Sequence, residues 1–176
     1  NYFAKGKGLE YDDEGGIARS GKVNADLLMR LNTQPYYAML PPKSLDKEQL
    51  LGEFIPLIHD LGLPIEDVLA SLTEHIAFQV GKSVHKITRK AGARMLITGG
   101  GAWNNYLVER MRHYSGLECV VPDALTVDYK EALIFAFLGL LRLLNMPNCL
   151  STVTGAPGDT AGGALYGDFS SYYSNN

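Results

Sequence analysis

Arg94-Met95-Leu96-Ile97-Thr98-Gly99-Gly100-Gly101-Ala102-Trp103-Asn104 sets the fold. Arg94 to Thr98 is a short apolar strand, and it runs straight into three glycines. Trp103 to Tyr114 then follows as a helix, with Leu107, Val108 and Met111 turned inward. A second strand, Glu118 to Val121, comes next, so two strands flank one helix and predict a parallel crossover. Three glycines at the exit of a buried strand strip the loop of side chains, and the following helix start offers free N–H groups. A flat ligand or a phosphate could approach the backbone there, at the strand C-terminal edge where open α/β sheets bind ligands. The loop matches neither the Walker A pattern nor the dinucleotide GxGxxG pattern, and a tight strand-to-helix turn without a ligand would also use glycine.

Upstream, the long stripe Ile65, Val68, Leu69, Leu72, Ile76, Val80, Val84 and Ile87 predicts a helix opened by Pro64 and running to about Lys86. Glu66 and Asp67 suit its first turn. Leu50, Leu51, Phe54, Leu57 and Ile58 predict an amphipathic helix over Leu50–His59, ended by Gly62. The first forty residues read as short helices, with a turn at Gly15-Gly16 and Asn24 capping Ala25–Leu31. Pro41-Pro42-Lys43-Ser44 is an extended connector. Downstream, a helix is expected from about Val127 to Leu144, its apolar run Ala132–Leu141 buried, and the tail from residue 168 is expected to fray.

The chain has 176 residues, 46% hydrophobic and 20% charged, with a formal net charge of -3. This is the composition of a soluble globular domain, here one domain or lobe. No basic stripe is present to track a nucleic acid, which argues against duplex binding. The ten-residue apolar run is well short of the roughly 20 needed to cross a bilayer, so no membrane span is expected. Cys119 and Cys149 form no CxxC pair, which suggests neither a disulfide framework nor a zinc site and fits a reducing cytoplasm. His59, His75, His85 and His113 lack ligand spacing, so no metal site built by protein side chains is expected. The chain begins without Met, which suggests a fragment of a longer polypeptide.

Glu131 stands beside the apolar run, where an acid either complements a helix dipole or faces a cleft. Asp123 and Asp128 flank the same loop and could join a cluster of acids or cap the helix. Lys43 could reach an anion or stay solvated. Val153-Thr154-Gly155-Ala156 reads as a turn.

Four segments in order resemble the anhydro-N-acetylmuramic acid kinases, members of the actin, Hsp70 and sugar-kinase superfamily. They are Tyr11-Asp12-Asp13-Glu14-Gly15-Gly16-Ile17-Ala18-Arg19-Ser20-Gly21-Lys22-Val23; Pro35-Tyr36-Tyr37 leading to Pro42-Lys43-Ser44; Thr98-Gly99-Gly100-Gly101-Ala102 with Asn104; and Lys130-Glu131-Ala132-Leu133 with Val153-Thr154-Gly155-Ala156. Two departures stand out. The family's Lys-Ser-Thr-Gly-Arg stretch is Lys43-Ser44-Leu45-Asp46-Lys47 here, and the His that follows Gly-Gly-Gly-Ala is Trp103.

The resemblance implies the helix-rich C-terminal lobe of an actin-like (ribonuclease H-like) α/β fold with a reduced sheet. It implies a cytoplasmic kinase of peptidoglycan recycling that uses ATP with magnesium and water to open the 1,6-anhydro ring of the amino sugar and phosphorylate its O6. Gly99, Gly100, Gly101, Ala102 and Asn104 would then bind nucleotide, Glu131 would face the reaction centre, and Lys43 and Ser44 would lie near the sugar. The aspartate that acts as main base, and the N-terminal lobe carrying it, are expected upstream of Asn1, so this chain alone is expected to be inactive. A sheet lacking those partner strands would expose apolar surface, leading the isolated lobe to form a homodimer or to be marginally stable. Two other readings stay open: a non-catalytic actin-like nucleotide-binding or regulatory lobe, and a kinase for another amino sugar.

Overall fold

The computed structural model describes residues 2–40, 43–87 and 92–168. It is a helix-rich α/β chain that divides into two compact units: Asn1–Met39 with Ser44–Asp128, and Leu40–Lys43 with Tyr129–Asn176. Pro41 and Pro42 of the expected connector, and 169–176 of the expected frayed tail, lie outside the described residues.

The first unit opens with α1 (Tyr2–Lys5), a 3-10 turn over Asp13–Gly15, α2 (Gly16–Ser20) and α3 (Ala25–Asn32). Asn24 caps α3 as expected, its side chain accepting from Leu27 N at 2.9 Å. A 3-10 turn over Pro35–Ala38 follows. The expected Leu50–His59 helix is a composite of α4 (Lys47–Gln49), a π turn over Leu50–Phe54 and α5 (Ile55–His59). Pro56 explains the widened turn, because it has no N–H to give and its ring crowds the carbonyl four residues back. Leu27, Leu31, Phe54, Ile58 and Val68 form the buried apolar cluster, so α3 and α5 close on the start of α6 (Ile65–Ile87).

Helix α6 buries Val68 of its apolar stripe, with Leu72 packed against the same core, but it also buries residues outside the stripe. Ala70, Ser71, Thr73, Glu74, His75, Ala77 and Gly81 are buried, whereas Ile76 and Ile87 are exposed. Small residues permit close approach, and the larger polar ones are paired. Gly81 lies against α7 (Asn105–Ser115), where a Cβ would stand 2.7 Å from both Cβ and O of Tyr114. Glu74 accepts two hydrogen bonds from Arg110 of α7, at 2.7 and 2.8 Å, and one from the Tyr114 hydroxyl at 2.5 Å. Burial alone would raise the Glu74 carboxyl, but these donors outweigh it and hold it below the usual carboxylate range.

Strands β1 (Arg94–Leu96) and β2 (Glu118–Val120) pair in parallel, in register Arg94 with Glu118 and Leu96 with Val120. This is the predicted crossover, with α7 as its helix. Leu96 is 62% exposed, so part of the sheet's apolar surface is open.

Helix α8 (Ala124–Leu143) starts earlier than expected because Asp123 caps it, accepting from Thr126 N at 3.0 Å and from the Thr126 hydroxyl at 2.9 Å. Its apolar run is not buried. Leu133 and Phe135 are each 71% exposed, and Ile134, Phe137 and Leu140 are exposed too. The reason is geometric: these side chains leave the helix on every side, and the described remainder of the second unit is only α9 (Ser151–Thr154) and connecting turns. That remainder is clasped on itself. Asn148 donates to Leu138 O and Gly162 O and accepts from Gly162 N, Cys149 bridges Thr160, and Asp159 accepts from Ser151 N at 2.6 Å. No described helix is long and apolar enough to cross a membrane.

Candidate functional site

At the exit of β1, Ile97 N still donates to Val120 O at 2.9 Å, and the ladder ends there. Gly99 then takes φ 77 and ψ 178, a conformation open to glycine and hostile to side chains. Gly100–Trp103 form a 3-10 turn whose first bond runs from Ala102 N to Gly99 O at 2.9 Å, so the N–H groups of Gly100 and Gly101 lie ahead of it. α7 therefore begins at Asn105, two residues later than the sequence suggests, with Asn104 as its cap accepting from Leu107 N at 2.8 Å.

The three glycines differ in what requires them. Gly99 needs its positive φ. Gly100 and Gly101 have no such need. A methyl group at Gly100 would touch nothing within 4 Å, and one at Gly101 would meet only Leu107 Cδ2 at 3.9 Å. Both residues are exposed, while Ala102 beneath them is buried. Neither folding nor packing within this chain demands that these two positions lack a side chain.

The loop rests on the Tyr11–Val23 segment, whose local role the sequence alone leaves open. The Asp12 carboxylate takes the N–H groups of Ile17 at 2.7 Å and Ala18 at 3.0 Å, which caps α2. Arg19 reaches α7, its guanidinium 4.8 Å from the centre of the Tyr106 ring and 2.7 Å from Glu109. Gly21 passes so close to Glu66 that a Cβ would fall 2.1 Å from the Glu66 carbonyl oxygen. An acid five residues before its target N–H is not a standard capping-box spacing, so it gave no sequence signal.

Gly99, Gly100, Gly101, Ala102 and Asn104 thus lie together in the first unit, with Ser44, exposed and outside regular structure, elsewhere in that unit. Glu131 and Lys43 belong to the second. Lys43 is partly buried and has an interaction partner. Glu131 is exposed and about two turns into α8. The helix dipole acts mainly at the cap and first turn, where Asp123 stands as the cap, so helix-end electrostatics do not account for Glu131. Asp123 is held below the usual carboxylate range by the Thr126 backbone and hydroxyl donors. Among the described residues no three of His, Cys, Asp and Glu converge as a metal site.

A helix-rich α/β chain with a small parallel sheet and a strand–loop–helix unit that opens on bare glycines is consistent with the sugar-kinase and actin-like class. Within that class, the family model described as anhydro-N-acetylmuramic acid kinase matches residues 1–168, and the chain belongs to this family. Curated relatives carry the same name. The protein of Saccharophagus degradans is 34% identical over 91% of this chain and 44% of its own length. That of Mesorhizobium japonicum is 35% identical over 95% and 44%, and that of Xanthomonas campestris pv. campestris 36% identical over 91% and 43%. The chain therefore spans less than half the length of these relatives.

Proposed function

We propose that the chain is the nucleotide-binding part of a kinase that hydrolyses the 1,6-anhydro bond of anhydro-N-acetylmuramic acid and phosphorylates O6 from ATP with magnesium. The observation that carries the nucleotide assignment is the open surface over Gly100 and Gly101, where a side chain would meet no protein atom closely. A loop kept bare without a packing reason is explained by a ligand that lies against its backbone. The residues present fit ATP in this sense: Gly100 and Gly101 offer N–H groups and open space, and Asn104 fixes the start of α7 behind them.

Mg-ATP, when bound, supplies the γ-phosphoryl group and charge neutralisation. In the proposed reaction a water oxygen bonds to the anomeric carbon, the bond from that carbon to O6 breaks, and O6 bonds to the γ-phosphorus as ADP leaves. The proton lost by water passes to a carboxylate base that we assign to a part of the longer protein outside this chain. Glu131 would orient the water or support the sugar, because its helix gives it no structural task that Asp123 does not already perform. Lys43 and Ser44 are assigned to the sugar side by resemblance.

The test is made on the full-length protein. Gly100→Val is expected to leave the melting temperature unchanged within about 2 °C, a surface-substitution effect, while weakening Mg-ATP binding at least tenfold. A folded variant that binds as tightly as wild type would remove the nucleotide assignment. Glu131→Gln is expected to slow phosphorylation of anhydro-N-acetylmuramic acid more than tenfold, about 1.4 kcal/mol of barrier. No phosphorylation by a folded wild type that binds ATP would point to another amino sugar or to a binding lobe.

A further inference from the structure

We propose that the turn Asp12–Gly15 is a backstop that sets the position of the glycine loop, with Gly15 as its positioning residue. The inference rests on the nucleotide reading of that loop and adds to it a residue far away in sequence. Gly15 is buried, with φ 76 and ψ 25, and it follows Glu14, which itself has φ 51. Two successive left-handed residues, one of them not glycine, make an uncommon turn that its surroundings must hold in place. Asp12 does so: Gly15 N donates to its carbonyl at 3.2 Å, and its carboxylate takes Ile17 N and Ala18 N.

The turn fits tightly against Asn104. A Cβ on Gly15 would stand 2.2 Å from Asn104 Oδ1, 3.0 Å from Asn104 Cγ and 2.8 Å from Tyr106 Cβ. Asn104 directly follows the glycine turn and closes it, its N–H bonded to Gly101 O at 3.2 Å and its side chain accepting from Leu107 N. Any residue larger than glycine at position 15 must displace this cap, and the cap is one hydrogen bond from Gly101. Arg19, four residues on, clamps the same stretch through Tyr106 and Glu109. The adjacent Gly16 provides a natural contrast: its φ is -64, and a Cβ there would touch nothing within 4 Å.

In the full-length protein, Gly15→Ala is expected to raise the Kd for Mg-ATP at least tenfold, with the Kd for the anhydro sugar changed less than twofold, and Gly16→Ala is expected to change neither. The effect should run through Asn104. In an Asn104→Ser background, which keeps a capping oxygen on a shorter side chain and leaves the Tyr106 contact in place, Gly15→Ala should cost at least threefold less in Kd than it does in the wild type. Equal losses in the two backgrounds, or native affinity in a folded Gly15→Ala, would overturn the proposal. Should Gly15→Ala not fold, the doubly substituted protein becomes the test. Recovery of folding in the double variant supports the coupling through Asn104, and failure to recover overturns it. A wild type that does not bind Mg-ATP would fail the nucleotide reading instead, which separates the two.

Discussion

His75 is 3% exposed, and its ring sits in a chain of hydrogen bonds. Asn32 Oδ1 can only accept, and it takes Gln79 Nε2 and His75 Nδ1, both at 2.8 Å. In the neutral ring that burial favours, with the proton on Nδ1, His75 Nε2 accepts from the Tyr37 hydroxyl at 2.7 Å. The ring is neutral, and burial lowers its pKa from 6.5 to about 4. The unfolded chain therefore binds a proton below pH 6.5 that the folded chain refuses until about pH 4. This contribution to stability is complete above pH 6.5, shrinks as the pH falls and is lost by about pH 4. Urea midpoints across that window should fall more steeply for wild type than for His75→Gln, and parallel curves would contradict the assignment. At the glycine loop the same scale of argument separates neighbours. Gly99→Ala must force a side chain into φ 77 and is expected to cost about 1–3 kcal/mol by chemical denaturation. Gly100→Ala, with open space and no left-handed φ, is expected to stay within about 0.5 kcal/mol of wild type.

At the level of elements, the α6–α7 contact combines polar pairing and close approach with one aromatic pair, Phe78 edge-on to Tyr114 at 5.5 Å between ring centroids. Gly81→Ala would press a methyl group into the Tyr114 backbone, and the helices would have to separate. An overpacking cost of about 1–3 kcal/mol is expected, read as a lower melting temperature. Arg110→Leu leaves the Glu74 carboxylate with Tyr114 alone in a buried setting, and should destabilise by about 1–3 kcal/mol. Adding Glu74→Leu to it should return part of that loss, since an apolar pair has no stranded charge; a further loss would show that the pair is stabilising in itself.

For the whole molecule, the open question in the fold is α8, with Leu133, Phe135, Phe137 and Leu140 exposed together. Large apolar side chains exposed together on one helix favour association in water. The chain produced alone is expected to self-associate with rising concentration in sedimentation velocity, and Leu133→Ser with Phe135→Ser should reduce that association. A monodisperse monomer at high concentration for the unaltered chain would rule this out.

Local signals in the sequence determined the strand–glycine loop–helix unit, the parallel pairing, the extent of α6 and the Asn24 cap, because strand exits, proline starts and capping residues act within a few positions. The family was legible in the ordered motifs for the same reason. Tertiary structure decided the rest. That α6 buries a second face beside its apolar stripe depended on Gly81 meeting Tyr114 and Glu74 meeting Arg110, partners some thirty residues away. Where α8 begins depended on Asp123 capping it, which moved Glu131 out of the first turn and removed its simplest explanation. The link from Gly15 to Asn104 appears in no spacing rule, since it exists only once α2 and the start of α7 are brought to within an atom's width of each other.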